Sequence, residues 1–83
     1  MNIYEQAVNK FGADHQILKA VEELNELAVA LMHYRDGKAT SEQVMNEVAD
    51  VQILFEQLEL IFEMESAPFV HEKLKKLEII INK

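Results

Sequence analysis

Cysteine is absent from this 83-residue chain. That removes disulfides, thiolate metal sites and cysteine nucleophiles from consideration, and it suits a reducing compartment. Tryptophan is also absent, and there are only two glycines and one proline, so few positions interrupt regular structure. Positive charge is scarce: eight Lys and Arg stand against fifteen Asp and Glu, a net charge of −7. A chain this acidic is a poor match for a nucleic-acid duplex or an anionic membrane, both of which carry negative charge themselves. No apolar run approaches the roughly 20 residues a transmembrane helix requires. The first residues lack the basic-then-apolar order of a signal peptide, so the cytoplasm is the expected location.

What remains is a chain that is 49% hydrophobic and 28% charged, the balance of a folded globular domain. Its length fits one domain, residues 1–83, and a domain of that size buries a limited share of its surface. The few breakers divide it. Apolar Ile3, Ala7, Val8 and Phe11 mark a short helix over 2–11, with Gly12 as its stop and Asp14 as a possible cap for the next. Ile17, Leu18, Val21, Leu24, Leu27, Ala28 and Leu31 recur at steps of one, three and four, which predicts a helix from about His15 to Tyr34. The stretch Asp36-Gly37-Lys38-Ala39 reads as a turn. Thr40 followed by Gln43 reads as a capping box, opening a helix from Ser41 to about Glu63. Pro68 suits the first turn of a last helix, which runs to Ile81. No strand alternation occurs. The expected class is all-α: short–long–long–short helices forming an antiparallel bundle completed by oligomerisation.

The third helix motivates the oligomer. Val44, Val48, Val51, Phe55, Leu58 and Phe62 form one apolar stripe, while Met45, Ile53, Leu54, Leu60 and Ile61 spread beyond it. A helix apolar around most of its girth is covered on several sides. Either the fourth helix covers the surplus or a second copy of the chain does; the small size of the domain favours the second copy.

The chemistry lies in the carboxylates. Glu23 and Glu26 are three apart on the second helix, and Glu47 and Asp50 are three apart on the third. Residues at i and i+3 share a helical face, so each pair points two carboxylates the same way. An antiparallel pairing about the turn near residue 38 brings the four together to within about one helical turn. Like charges beside the apolar seam of Leu24, Leu27, Val48 and Val51 repel, and a hard divalent cation relieves the repulsion. The alternative is a solvated acidic face laced by pairs such as Lys19 with Glu23. No Glu-x-x-His occurs before His15, His33 or His71, which counts against a ferritin-like di-iron bundle. His15 and His33 read as solvent or helix-end residues, and Glu56, Glu59 and Glu63 read as solvated unless an oligomer buries them.

The segment Lys19-Ala-Val-Glu-Glu-Leu-Asn-Glu-Leu, followed by Glu47-Val-Ala-Asp-Val, resembles the MazG-like all-α nucleoside triphosphate pyrophosphohydrolases, the superfamily that includes dimeric dUTPases and dCTP pyrophosphatases. Phe11-Gly12 and Gln16 add to the likeness. The resemblance implies metal ligands at Glu23, Glu26, Glu47 and Asp50, holding Mg²⁺ or in its place Mn²⁺. It also implies hydrolysis of a nucleotide between its α- and β-phosphates, releasing the nucleoside monophosphate and pyrophosphate. Glu22 is a candidate to orient or deprotonate the attacking water, or else an ordinary solvent residue. Lys73 and Lys76 match the basic residues that meet substrate phosphates in such enzymes, and Lys19 joins them as a substrate-binding candidate. A homo-oligomer, dimer or tetramer, would complete the pocket. The competing function is a non-catalytic helical oligomerisation or partner-binding module on the same scaffold.

Overall fold

The structure, a computed structural model, describes residues 1–83 and contains four α-helices and no strand. They are α1 (Ile3–Phe11), α2 (Ala13–Arg35), α3 (Ser41–Ile61) and α4 (Ala67–Ile81). The all-α class and the short–long–long–short order are therefore as expected. No helix is long and apolar enough to cross a membrane.

The boundaries follow from local chemistry. Asn2 caps α1: its side chain accepts from the Glu5 N–H at 2.9 Å, and the Glu5 carboxylate accepts from the Asn2 N–H at 3.1 Å. Thr40 and Gln43 make the same reciprocal pair at the start of α3, at 3.1 and 2.8 Å. Gly12 sits at φ 91, a conformation open to glycine, and serves as both the end of α1 and the start of α2. Asp14 is therefore not a cap. It lies inside the first turn of α2, where a carboxylate still favours the positive end of the helix dipole.

Two helices end in the same way. Gly37, at φ 74, donates to the Tyr34 carbonyl at 3.0 Å, while Lys38 donates to His33 at 2.7 Å. This is a Schellman ending, which satisfies carbonyls the helix would otherwise leave unpaired. At the end of α3, Glu63 donates to Leu60 at 3.3 Å and Met64 to Glu59 at 3.1 Å. Here the left-handed position is held by Glu63, at φ 53, without the freedom of a glycine.

Helices α2 and α3 form an antiparallel hairpin, and α1 packs on both. The core is small: Ala20, Val44, Val51 and Leu54 are its buried apolar residues. The expected α3 stripe is only partly buried. Val44 and Val51 are inside, but Phe55 and Phe62 remain 48% and 61% exposed. Leu54 and Gln57 take the inner positions instead, because the face of α3 that meets α1 and α2 is rotated from the stripe. The fourth helix does not cover the surplus. No α4 Cα comes within 8 Å of α1, α2 or α3.

Buried amides tie α2 to α3. Gln16 donates to Gln57 at 2.7 Å, and Gln57 donates to the Ile53 carbonyl at 3.4 Å. The His15 Nδ1 lies 2.8 Å from the Gln16 side-chain oxygen Oε1, and the ring stacks on Phe11 with centroids 5.7 Å apart. His15 is exposed, as the solvent reading expected, and its ring also stacks at the α1–α2 junction.

Candidate functional site

The i, i+3 spacing on α2 sends Glu23 and Glu26 toward α3, and α3 returns Glu47. Ala20, three residues before Glu23 on the same face, is buried. The result is a group of three acids whose nearest carboxylate oxygens lie within 4.8 Å of one another. Glu23 is only 7% exposed, Glu47 is half-buried and Glu26 faces solvent. Asp50, the fourth expected ligand, is exposed and lies outside this group.

Two atoms stand out. Glu23 Oε2 and Glu47 Oε2 are both shut off from solvent, and neither has a hydrogen-bond partner. A buried carboxylate oxygen without a donor is costly, and native folds rarely tolerate one without a ligand, ion or water to meet it. The neighbouring charges register the crowding. Glu26 is held above the ordinary carboxylate range, first by the negative charge of Glu23, then by partial desolvation and by Glu47.

Lys19 relieves part of this. Its Nζ lies 3.3 Å from Glu23 Oε1 and 3.7 Å from Glu22 Oε1. The hydrogen bond to Glu23, followed by the charge of Glu22, raises its pKa. The lysine serves one oxygen of Glu23 and leaves the buried Oε2 bare. Its side chain is 41% exposed, so the pair is well screened. Lys19 is committed to carboxylates of its own helix, which is the pairing the solvated-face alternative anticipates.

Beside the acids opens a hollow of about 540 Å³, within the size range of small-molecule sites. Glu22, Glu26 and Glu47 line it, and Asn25, His33, Lys38 and Gln43 supply further polar groups. Sequence reasoning passed over these four. The signal was present on α2, since Glu22, Glu26, Val29 and His33 recur at helical spacing on one face. Lys38 and Gln43 come from the turn and the first turn of α3, which only the folded hairpin places opposite. Lys73 and Lys76 are not brought here. Both are exposed on α4, which has no contact with α2 within the chain.

Chemically, the donor set is all oxygen and all anionic, with two orphaned acceptors. It suits a hard divalent cation such as Mg²⁺ or Mn²⁺ and offers nothing to a soft metal. No protein-family profile, curated protein or solved structure matched the chain.

Proposed function

We propose that the protein is a Mg²⁺-dependent nucleotide pyrophosphohydrolase of the MazG-like kind, with Mn²⁺ as a possible substitute ion. The observation that carries this reading is the pair of buried, unpartnered oxygens on Glu23 and Glu47, in a group whose Glu26 and Glu47 line the 540 Å³ hollow. Glu23, Glu26 and Glu47 would hold the ion. Asp50, one turn beyond Glu47 on α3, is the fourth ligand that the resemblance implies. When bound, the cation supplies charge neutralisation at phosphate oxygens and lowers the pKa of a coordinated water.

The chain's own residues supply the rest. Glu22, which lines the hollow, would accept a proton from the attacking water. Water adds at phosphorus, the α–β bridging bond breaks, and the products are a nucleoside monophosphate and pyrophosphate. Lys38 and His33 bring the only cationic or protonatable side-chain nitrogens to the hollow, and they would meet the phosphates. Asn25 and Gln43 offer amide groups that suit a base or sugar. Lys73 and Lys76 reach a substrate only from another chain, which ties their proposed role to a homo-oligomer. The cytoplasm is the compartment where such a nucleotide activity would operate.

A specific observation favours the second reading, a non-catalytic helical module. The Lys19–Glu23 contact at 3.3 Å is an ordinary i, i+4 pair, and much of the apolar surface is free to bind another chain. Pyrophosphate release from a panel of NTPs and dNTPs with Mg²⁺ separates the two. The enzyme reading expects release that disappears in Glu23→Gln while the helical circular dichroism is unchanged. No release across the panel from folded protein leaves the module.

A further inference from the structure

The Gln43 amide is held by the chain at one end and free at the other. Its Oε1 accepts from the Thr40 N–H at 2.8 Å, and its own backbone N–H donates to Thr40 Oγ1 at 3.1 Å, the reciprocal pair that opens α3. A backbone N–H only donates, so the atom it meets is the amide oxygen, and the two ends of the amide cannot be exchanged. The Nε2 group makes no hydrogen bond within the chain. Gln43 also lines the hollow beside the acids. What it brings there is a donor, held in place by the same cap that starts the helix.

The remaining lining is matched to that donor. Val29, Ala30 and Ala39 are its apolar part, and Ala30 and Ala39 are half-buried. Small apolar groups of this kind suit the face of a flat ring. Lys38 adds a second group that can only donate. The acceptors are the carboxylates of Glu22, Glu26 and Glu47, which the nucleotide reading assigns to the ion and the attacking water. Gln43 stands one helical turn, about 6 Å, before Glu47 on α3. That step is comparable with the sugar that separates a base from its phosphate.

We propose that Gln43 selects the base: its Nε2 donates to a keto oxygen on the base edge, so the hollow prefers nucleotides of uracil, thymine or guanine to those of cytosine or adenine. The first three present O4 or O6 as an acceptor, whereas cytosine and adenine turn an amino group to the same place. An amino group opposite Nε2 sets two donors against each other and leaves both without a partner. The role rests on the nucleotide reading of the hollow and not on turnover.

The cap itself supplies the test. Gln43→Glu keeps an oxygen for the Thr40 N–H, because glutamate serves a capping box as well as glutamine does, and a carboxylate suits the first turn of a helix. Helical circular dichroism should therefore be unchanged. The free end of the side chain, however, changes from donor to acceptor. The added charge lies one turn from Glu47 and can lower every rate, so the quantity read is the ratio between bases, in which a common factor cancels.

Pyrophosphate release is measured from UTP, GTP, CTP and ATP with Mg²⁺ for both proteins. In the wild type kcat/KM should favour UTP and GTP over CTP and ATP by about 3- to 10-fold, the effect of one hydrogen bond in a partly solvated place, and in Gln43→Glu the order should reverse. A second measurement does not need turnover. The Gln43 side-chain NH₂ resonances, identified by their loss in the variant, should titrate at lower concentrations of UMP and GMP than of CMP and AMP. Titration in that order without release from any triphosphate keeps the role of Gln43 and removes the hydrolase. Base ratios that are equal in the two proteins, or a wild type that favours CTP and ATP, overturn the role of Gln43 and leave the hydrolase standing. Neither release nor titration with any of these nucleotides overturns both.

Discussion

Replacing Glu23 by Gln should move stability in opposite directions with and without metal. Without metal, the buried Oε2 of Glu23 has no donor, and neither does the Oε2 of Glu47. Each orphaned acceptor costs on the order of 1–3 kcal/mol. A glutamine at position 23 keeps the volume, removes one charge from a trio within 4.8 Å, and brings an N–H that can serve a neighbouring carboxylate. The half-exposed contact with Lys19 is lost, and screening makes that loss small. A net gain of about 1 kcal/mol is reasonable. For 83 residues, an unfolding entropy of about 2.1 cal/mol/K per residue gives about 0.17 kcal/mol/K, so the metal-free Tm should rise by about 6 °C.

Metal reverses the order. At ten times its Kd, Mg²⁺ stabilises the wild type by RT ln 11, about 1.4 kcal/mol or about 8 °C. The variant, short of one anionic ligand, should respond by less than about 2 °C. Thermal unfolding of both proteins with EDTA and with a Mg²⁺ series, at one protein concentration, reads all four values. Equal metal shifts in the two proteins would refute the site. A metal-free Tm that falls in Glu23→Gln would show that the charged carboxylate is itself part of the core's stability.

Other outcomes follow from individual residues. Glu26 holds its proton to higher pH in the folded chain than in the unfolded one, so metal-free stability should increase as pH falls through that raised pKa. In Glu23→Gln its midpoint, followed by carboxyl NMR, should drop, because Glu23 is the largest cause; an unchanged midpoint would contradict the geometry. Gln57→Leu strands the buried Gln16 amide and should cost about 1–3 kcal/mol in urea unfolding, whereas Gln16→Leu with Gln57→Leu should cost less than the two single changes together. Glu63→Gly should raise stability by about 0.5–1 kcal/mol by relieving the left-handed position, and Gly37→Ala should lower it by about 1 kcal/mol; equal effects of one sign would count against the Schellman endings.

Helix limits were legible wherever a residue has one job. Gly12, Gly37, Thr40 with Gln43, and Pro68 each mark a boundary to within about two residues. The Asn2–Glu5 box at the start of α1 is the same signal, visible in the sequence and passed over there. The core was less legible, because hydropathy ranks Phe55 and Phe62 as insiders while packing places Gln16 and Gln57 there. A glutamine pair that satisfies itself across two helices has no signature in one-dimensional periodicity. For the acids, i, i+3 spacing fixes which carboxylates share a helix face. It does not fix which reach across, and Asp50 shows the difference: the structure gathers Glu23, Glu26 and Glu47 and leaves it outside. The lining of the hollow by Lys38 and Gln43 depends on how the turn folds back, information that no single helix contains.

The Gln16–Gln57 bond also sets a ruler. The hairpin turn pins α2 and α3 at one end, and the amide pair pins them near the other, with the acids between the two anchors. Sliding α3 by one helical turn, about 5.4 Å, would part the amides and leave both without a mate in a dry environment. Intermediate offsets gain nothing, since an amide has no apolar position to fall into. The span is therefore digital rather than elastic. The separation of Glu23 and Glu47 is thereby set by the two anchors of the hairpin.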